Sequence, residues 1–159
     1  MKEIERKFLV TSEAYKTEAH HHYRITQGFL NTDPERTVRV RLKADQGQLT
    51  VKGLSSDDGL SRFEWETEIS ADEAKALLNL CEEGIIDKER YEVRSGVHLF
   101  EVDEFYDANQ GLVIAEVELQ DEKDVFQKPS WIGKEVTGDI RYYNSQISKT
   151  PYNTWNENT

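Results

Sequence analysis

One pattern constrains the fold of this chain more than any other: ionisable and apolar residues alternate along several short segments, and each charged face carries mainly one sign. In TVRVRLKA, Arg39, Arg41 and Lys43 alternate with valine and leucine, and in VIAEVELQ, Glu116 and Glu118 alternate with alanine, valine and leucine. Because successive side chains of a β-strand point to opposite faces, each segment would place its charges on one side of a sheet. The pattern predicts β-strands with one ionic and one apolar face.

The same alternation recurs along the rest of the chain. The opening stretch MKEIERKFLV places Glu3, Glu5 and Lys7 on one face, with Ile4 and Phe8 on the other. The remaining charged faces carry Lys52 in LTVKG, Glu64, Glu66 and Glu68 in RFEWETEI, Lys88 and Arg90 in DKERYEV, and Glu101 and Asp103 in LFEVDEF. The signs are therefore segregated strand by strand.

Two explanations fit a charged strand face. The simpler is an antiparallel sheet with one side in water, which produces the same alternation. However, these faces are nearly all ionisable, like charges directly opposite each other destabilise a sheet, and a surface selected for stability would intersperse the signs. The segregation favours charges that face inward around a ligand.

The two signs suit two kinds of ligand. Arginine binds phosphate oxygens with a bidentate fork and lysine supplies a point charge, so the basic faces predict a polyanion. Clustered carboxylates suit a divalent metal such as Mg²⁺. The acidic faces offer more carboxylates than one ion needs, which allows two metals, or one metal and carboxylates that position water. The candidates are Glu3, Glu5, Asp103, Glu116 and Glu118.

Length and charge narrow the class of protein. The 159 residues fit a single domain over 1–159. The formal net charge of −11 argues against nucleic acid and anionic membranes as partners. No apolar run is long enough to span a membrane and no apolar leader precedes the charged start, so a cytoplasmic protein is expected. The one cysteine, Cys81, suits a reducing compartment.

Periodicity and turn residues predict a mainly antiparallel β protein with a few helices, an α+β chain. About eight strands are enough for a closed barrel or a sandwich. The predicted strands are 2–10, 23–30, 37–44, 48–54, 62–69, 85–93, 97–106 and 113–120.

The helical signals are fewer. Ser70 and Glu73 form a capping box before an apolar repeat that reaches Cys81, which is expected in the core. A weaker helix is predicted over 11–18, and short helices and loops from Asp121 onward. The HHH at 20–22 is read as a loop or strand entry, because no partner ligands stand at metal-site spacing.

An ordered set of motifs carries a family resemblance over nearly the whole chain. EIERKF matches an ExExK signature, and QGFL, VRVRLK, TVKG, GLSRFEWE, KERY, FEVDEF, AEVEL and PSWIGKEVTGDIRYYN follow in order. The chain resembles the CYTH superfamily, also called triphosphate tunnel metalloenzymes. The resemblance implies a closed eight-stranded β-barrel tunnel with a charged lumen and helices packed outside. It also implies Mg²⁺ or Mn²⁺ and hydrolysis of a triphosphate or cyclisation of ATP.

The resemblance also assigns roles, position by position. Glu3, Glu5, Lys7 and Lys88 are the implied catalytic residues. The implied phosphate-binding residues are Lys7, Arg39, Arg41, Lys52, Lys88, Arg90 and Arg141, the last of which would close one tunnel end. The implied metal ligands are Glu3, Glu5, Asp103, Glu116 and Glu118. Glu64 and Glu66 align less surely and would form salt bridges in the lumen.

One position departs from the family pattern. Small bacterial relatives carry a tyrosine where this chain has Phe29, and a phenyl ring cannot supply the hydroxyl proposed to assist catalysis. Tyr23 or a lumen glutamate would replace it, or metal alone would activate the water.

Three functions remain open at this point. The leading hypothesis is a metal-dependent triphosphatase that acts on a small-molecule triphosphate, best fitted by inorganic triphosphate. The alternatives are an adenylate cyclase of the same superfamily and a non-catalytic module that binds polyphosphate or nucleotide. Orthophosphate, cyclic nucleotide or no product distinguishes the three. A homodimer is a further prediction, because a second subunit would cover part of the apolar outer wall of the barrel.

Overall fold

A computed structural model describes residues 2–155, so Met1 and residues 156–159 of the predicted domain lie outside the described part. The strands are β1 (Lys2–Val10), β2 (His21–Asn31), β3 (Thr37–Lys43), β4 (Gln46–Ser55), β5 (Ser61–Ile69), β6 (Ile86–Ser95), β7 (His98–Phe105), β8 (Val113–Glu118) and β9 (Ile132–Glu135). The helices are α1 (Tyr15–Glu18), α2 (Ala71–Leu78) and α3 (Asn144–Ile147).

Eight of these strands close into an antiparallel barrel. Their order is β5-β4-β3-β2-β6-β7-β8-β1, and β1 then pairs with β5 through Lys2–Ile4, which closes the sheet. The short strand β9 pairs with the C-terminal part of β1, where Val10 lies opposite Ile132. The predicted eight-stranded barrel is confirmed.

The eight predicted strands are all present, and none of their ends moves by more than two residues. The addition is β9, which lies in the segment predicted to hold only helices and loops. Its four residues carry little local strand signal, and they are extended because they pair with Phe8 and Val10 of β1. The formation of β9 therefore depends on a contact between the N-terminal strand and a distant segment of the chain.

The capping box before α2 forms as predicted. The hydroxyl of Ser70 accepts a hydrogen bond from the Glu73 backbone N–H at 3.0 Å, and the Glu73 carboxylate accepts one from the Ser70 N–H at 2.9 Å. The helix ends at Leu78, before Cys81. Cys81 is partly buried rather than fully in the core. It packs against Gly28 of β2, and a Cβ atom added to Gly28 would lie 2.9 Å from the Cβ of Cys81.

The apolar faces of the strands point outward and are largely covered. Phe8 and Phe100 are fully buried beneath Tyr15 of α1 and Trp131 of the C-terminal segment. On β5, in contrast, Phe63 is 51% and Trp65 is 42% exposed. None of the helices within residues 2–155 is both long and apolar enough to cross a bilayer.

Candidate active site

The ionisable strand faces line the interior of the barrel, here called the lumen. Two cavities with about 800 Å³ and about 670 Å³ of empty space, both continuous with solvent, occupy it. They share a central set of charged residues: Glu3, Glu5, Arg39, Arg41, Lys52, Arg90 and Glu116. The shared residues show that the cavities are the two ends of one passage, and that the charges face inward rather than toward open water.

One end of the lumen, here called the capped end, is covered by two loops. The β4–β5 turn meets the segment after β9, where Gly59 lies against Gly138. A side-chain carbon on Gly59 would lie 2.3 Å from the Gly138 Cα, and both glycines have positive φ, +76° and +79°. Only glycine tolerates both constraints. Side chains found at this end alone include Lys7, Phe29, Arg62, Lys88, Tyr143 and Asn144.

The other end of the lumen, here called the acidic end, is lined by carboxylates. Its own residues include Glu64, Glu66, Glu101 and Glu118, together with Lys43 and Gln48. Strand register places Glu5 directly opposite Glu118, and Glu101 directly opposite Glu116. Like charges in directly opposed positions destabilise a sheet, so this arrangement favours a bound cation.

Asp103 organises two buried cations between these ends. Its carboxylate accepts hydrogen bonds from Arg90 Nε and Nη2 at 2.8 and 2.9 Å, and it lies 2.8 Å from Lys88 Nζ. Burial by itself would raise the pKa of Asp103, but Arg90 and Lys88 outweigh it and hold that pKa below its usual range. The structure thus places Asp103 with the cations, apart from the other predicted metal ligands.

The lysines make contrasting contacts. Burial lowers the pKa of Lys88 to about 7, although Asp103 acts in the opposite direction. Lys7 Nζ donates to the Tyr142 carbonyl at 3.3 Å and lies 3.8 Å from the Glu116 carboxylate. Lys52 is held by carboxylates, 2.9 Å from Glu3 and 3.8 Å from Glu64.

The arginines of β3 leave donors available in the lumen. Arg41 Nε donates to Gln27 Oε1 at 2.9 Å. Arg39 Nη2 donates to Thr50 at 3.0 Å and to Glu66 at 3.4 Å, which is one of the lumen salt bridges predicted for that glutamate. The Arg39 Nε is buried and has no hydrogen-bond partner among residues 2–155. A buried donor without a partner is unfavourable, so an anion at this position would complete it.

The carboxylates between the two ends share protons unequally. Burial, Glu116 and Glu3 raise the pKa of Glu5 well above its usual range. Burial acts the same way on Glu116, but Lys7, a hydrogen bond with Glu5 and Arg90 outweigh it and lower its pKa to about 2. The pKa values of Glu3 and Glu118 are both raised, chiefly by burial. The set therefore holds more acid groups than its cations neutralise.

Among the described residues, no three histidine, cysteine, aspartate or glutamate side chains form a ready-made metal cluster. Mg²⁺ is usually held by one or two carboxylates together with substrate phosphates and water, and such a site needs no larger protein cluster. The uncompensated carboxylates Glu5 and Glu118, with Glu116 beside them, fit that kind of site.

Most of the residues singled out in the sequence meet in or beside the lumen, but Arg141 does not. It is exposed, pairs with Asp139 at 2.9 Å and stacks near Tyr142 and Trp155, outside both lumen cavities. The structure therefore does not bring Arg141 together with the other predicted phosphate-binding residues. Tyr143 and Asn144, two and three residues later, face the lumen instead.

The sequence patterns also missed several lumen residues, namely Gln27, Arg62, Tyr143 and Asn144. The lumen position of Gln27 could have been predicted, because Gln27 lies two residues before Phe29 and therefore on the same face of β2. Phe29 lines the capped end, while the Tyr23 hydroxyl donates to Glu92 at 2.9 Å and lines neither lumen cavity. The phenol that does reach the capped end belongs to Tyr143, whose oxygen lies 3.4 Å from Ser55 Oγ.

Comparisons with known proteins agree with this geometry. The CYTH domain model matches residues 1–151. A protein of Acetivibrio thermocellus named inorganic triphosphatase is 51% identical over 157 residues, which cover 98% of this chain and 99% of that protein. One of Nitrosomonas europaea with the same name is 36% identical over 151 residues, 93% of this chain and 97% of that protein.

Solved structures share the fold. The crystal structure of the inorganic triphosphatase NE1496 has a TM-score of 0.65 and 31% identity, and covers 92% of this chain and 93% of that chain. The PH1012 protein from Pyrococcus horikoshii has a TM-score of 0.61 with 18% identity, and covers 76% of this chain and 81% of that chain. The second likeness concerns the fold alone.

Proposed function

The chain belongs to the CYTH domain family, and from this premise we propose that it is a metal-dependent triphosphatase that hydrolyses inorganic triphosphate. One observation carries the proposal: seven cationic side chains from five strands line one cavity beside a set of uncompensated carboxylates. The seven are Lys7, Arg39, Arg41, Lys52, Arg62, Lys88 and Arg90. The names of the two relatives support the same activity.

The cations would bind the substrate along its length. Inorganic triphosphate carries ionisable phosphates at both ends, so its negative oxygens can contact basic side chains along its whole length. The guanidinium groups of Arg39 and Arg41 would contact phosphate oxygens in pairs, and the unpaired Arg39 Nε would gain a partner. Lys7 and Lys88 would neutralise charge at the capped end.

The carboxylates Glu3, Glu5, Glu116 and Glu118 would hold a divalent cation, Mg²⁺ or Mn²⁺, jointly with the phosphates. When bound, the ion supplies charge neutralisation on the phosphate oxygens. Asp103 is left out of this set, because its carboxylate is engaged by Arg90 and Lys88. Its proposed role is to hold those two cations in place.

Phosphoryl transfer needs mainly positioning and charge stabilisation from the protein. A water would attack a terminal phosphorus in line, with its proton taken by a lumen carboxylate. The bond between that phosphorus and the bridging oxygen would break, which releases orthophosphate and pyrophosphate. Lys7, Lys88, Arg39, Arg41 and Arg90 would stabilise the charge that develops on the oxygens.

The lumen offers little to a nucleoside. Housing a base usually takes aromatic stacking and edge hydrogen bonds. The aromatic side chains Phe63 and Trp65 lie on the outer wall. The capped end does hold Phe29 and Tyr143, but Phe29 is packed into an apolar cluster and two loops cover this end. Adenosine would therefore contribute little to transition-state binding, and inorganic triphosphate should be preferred over ATP.

A substrate panel tests the proposal. We expect wild-type protein with Mg²⁺ or Mn²⁺ to release orthophosphate from inorganic triphosphate with a higher kcat/KM than from ATP or thiamine triphosphate. Chromatography of the ATP products should show little cyclic AMP. Cyclic AMP as the main product would favour a cyclase, and binding without any product would favour a non-catalytic module.

A matched pair of arginine variants ties the activity to the lumen. Arg41→Ala should lose most of the activity. Arg24→Ala should retain it, because Arg24 lies on the outer wall, where it pairs with Asp87 and stacks on Tyr106. Equal losses in the two variants would argue that the lumen is not the site. Placement in the cytoplasm and assembly as a homodimer remain predictions from the sequence.

A further inference from the structure

The C-terminal segment inserts one side chain between two of the lumen cations. Asn144, the first residue of α3, accepts hydrogen bonds at its Oδ1 atom from Lys88 Nζ at 3.0 Å and from Gln27 Nε2 at 2.8 Å. The Gln27 Oε1 atom in turn accepts from Arg41 Nε at 2.9 Å. A continuous chain of hydrogen bonds therefore joins Arg41, Gln27, Asn144 and Lys88, here called the amide bridge.

The direction of each bond in the amide bridge is determined by chemistry. A guanidinium group can only donate, so the Gln27 atom that faces Arg41 must be the amide oxygen. Once Gln27 turns its oxygen toward Arg41, its amino group points to Asn144, which must again present oxygen. Neither amide can flip without placing two donors against each other, so the two cations are held in one arrangement.

Burial makes the bridge stringent. Gln27 is fully buried, Lys88 is 1% exposed and Arg41 is 7% exposed, whereas Asn144 is partly buried, so water is largely excluded from the bond between Arg41 and Gln27. An ammonium has three donors. Asp103 and Asn144 engage two donors of Lys88, which leaves the third for the cavity.

The bridging groups are uncharged, and this matters for an anion site. A carboxylate in place of the Asn144 amide could accept the same two hydrogen bonds, but it would cancel part of the positive charge of the cations. Asp103 already neutralises Arg90 and Lys88 from the other side. Two neutral amides fix Arg41 and Lys88 while they preserve the field that a polyphosphate needs.

Packing explains why Asn144 reaches this point. Tyr142 and Ile147, which flank it along the chain, are buried in one apolar cluster with Phe29 and Phe105 of the barrel. The Lys7 backbone N–H also donates to Thr137 Oγ1 at 2.9 Å, which anchors the same segment nearer β9. The segment is therefore docked on both sides of Asn144, and the amide is presented to the lumen as part of that docking.

We propose that Asn144, with Gln27, is a positioning residue that orients Lys88 and Arg41 toward the phosphates of the substrate. This inference rests on the proposed function for its kinetic readout. It assigns to the C-terminal segment a part in substrate binding, through the orientation of Lys88 and Arg41, beyond closing one end of the barrel.

A double-mutant cycle tests the inference. Asn144→Leu keeps the volume and removes the acceptor, and it should lower kcat/KM for inorganic triphosphate about 10- to 100-fold, as expected for loss of a hydrogen bond to a charged group. In a Lys88→Met background the same change should cost about 3-fold or less, because only the arm through Gln27 remains. A purely structural role would give equal costs in both backgrounds.

Two controls sharpen the cycle. Asn144→Leu combined with Lys52→Ala should be additive, since Lys52 contacts Glu3 and Glu64 and no member of the amide bridge. Gln146→Ala, on the same helix but lining only pockets outside the lumen, should leave kcat/KM unchanged. If Asn144→Leu does not fold, Asn144→Ala takes its place in the cycle. Additive costs with Lys88→Met would overturn the inference.

Equilibrium binding separates this inference from the proposed function. The same cycle can be measured as the Kd for inorganic triphosphate in EDTA by calorimetry, where no turnover is needed. Wild-type protein that binds triphosphate but does not hydrolyse it when Mg²⁺ or Mn²⁺ is supplied would refute the triphosphatase, while coupling between Asn144 and Lys88 in Kd would still support their positioning role. Protein that neither binds nor cleaves triphosphate would refute both.

Discussion

At the capped end of the lumen, Lys7 and Lys88 each donate to an uncharged acceptor, the Tyr142 carbonyl and the Asn144 amide, and Lys88 also pairs with Asp103. At the acidic end, carboxylates face carboxylates. The capped end has its donors oriented before any ligand arrives. The acidic end is electrostatically unfavourable until a cation enters. One barrel thus prepares for an anion with donors that are already oriented, and for a cation with more carboxylates than its own cations neutralise.

The two ends of the lumen differ because different segments of the chain line them. The strands alone supply the acidic end, so its residues meet only the neighbours that register dictates. The capped end receives two additional segments, the β4–β5 turn and the segment after β9. The segment after β9 brings the uncharged acceptors of Lys7 and Lys88, the Tyr142 carbonyl and the Asn144 amide.

The largest expected effect comes from removing charge at the acidic side. Replacing both Glu116 and Glu118 by glutamine should lower kcat by about 10²- to 10³-fold, the scale seen when one charge-stabilising group is removed. Affinity for Mg²⁺ should also fall, as measured by titration calorimetry, while circular dichroism shows an intact fold. The exposed pair Glu83→Gln and Glu122→Gln removes the same charge elsewhere and should change little. Near wild-type turnover in the lumen double variant would show that these carboxylates hold no essential metal.

A second comparison probes the geometry of the cations. Arg41→Lys should lower kcat/KM by about 10- to 100-fold, because a lysine reproduces neither the bond to Gln27 nor bidentate phosphate contact. Lys52→Arg should cost less than about 10-fold, since an arginine can still supply a point charge. Steady-state kinetics on inorganic triphosphate measures both. Equal losses would mean that net positive charge alone matters.

A third prediction concerns stability without metal, where Glu5 and Glu116 should behave oppositely. The pKa of Glu5 is raised, so above its ordinary pKa the folded state retains a proton that the unfolded chain loses, and stability falls as pH rises through this window. Glu5→Gln should raise Tm at pH 7 by about 2–4 °C, the shift for about 1 kcal/mol in a chain of this size.

Glu116 provides the matched control for that measurement. Its pKa is lowered to about 2, so its charge stabilises the fold above its ordinary pKa, and that contribution is lost as pH falls toward about 2. Glu116→Gln should therefore lower Tm at pH 7. Thermal melts in EDTA from pH 5 to 8 test both variants, and shifts of the same sign would contradict the assignment of the shared proton.

The smallest effect is expected at Arg141. Its pair with Asp139 is exposed and lies outside the lumen, and exposed ion pairs contribute little. Arg141→Ala should change kcat/KM by less than about 2-fold, and Tm by about 2 °C or less. A loss comparable to that of Arg41→Lys would restore the phosphate-binding role predicted from the motif.

Sequence motifs located most of the lumen residues because strand alternation is local. A two-residue period assigns each charged residue to a face without knowledge of the partner strand. The same period places Gln27 on the strand face of Phe29, but the search for charged faces did not select an uncharged side chain. Alternation gives no such guide for Arg141, because its segment is irregular and a neighbouring position in the sequence does not imply the same facing.

By itself, the sequence of this protein determined the eight strands, the faces that carry charge, the segregation of sign and the capping box at Ser70. Tertiary structure alone decided strand β9, the pairing of Asp103 with cations, the uneven sharing of a proton between Glu5 and Glu116, and the placement of Asn144 in the lumen. The physical reason is distance along the chain. Facing within a strand depends on adjacent residues, whereas the bond between Gln27 and Asn144 joins positions 117 residues apart and forms only when the whole barrel has closed.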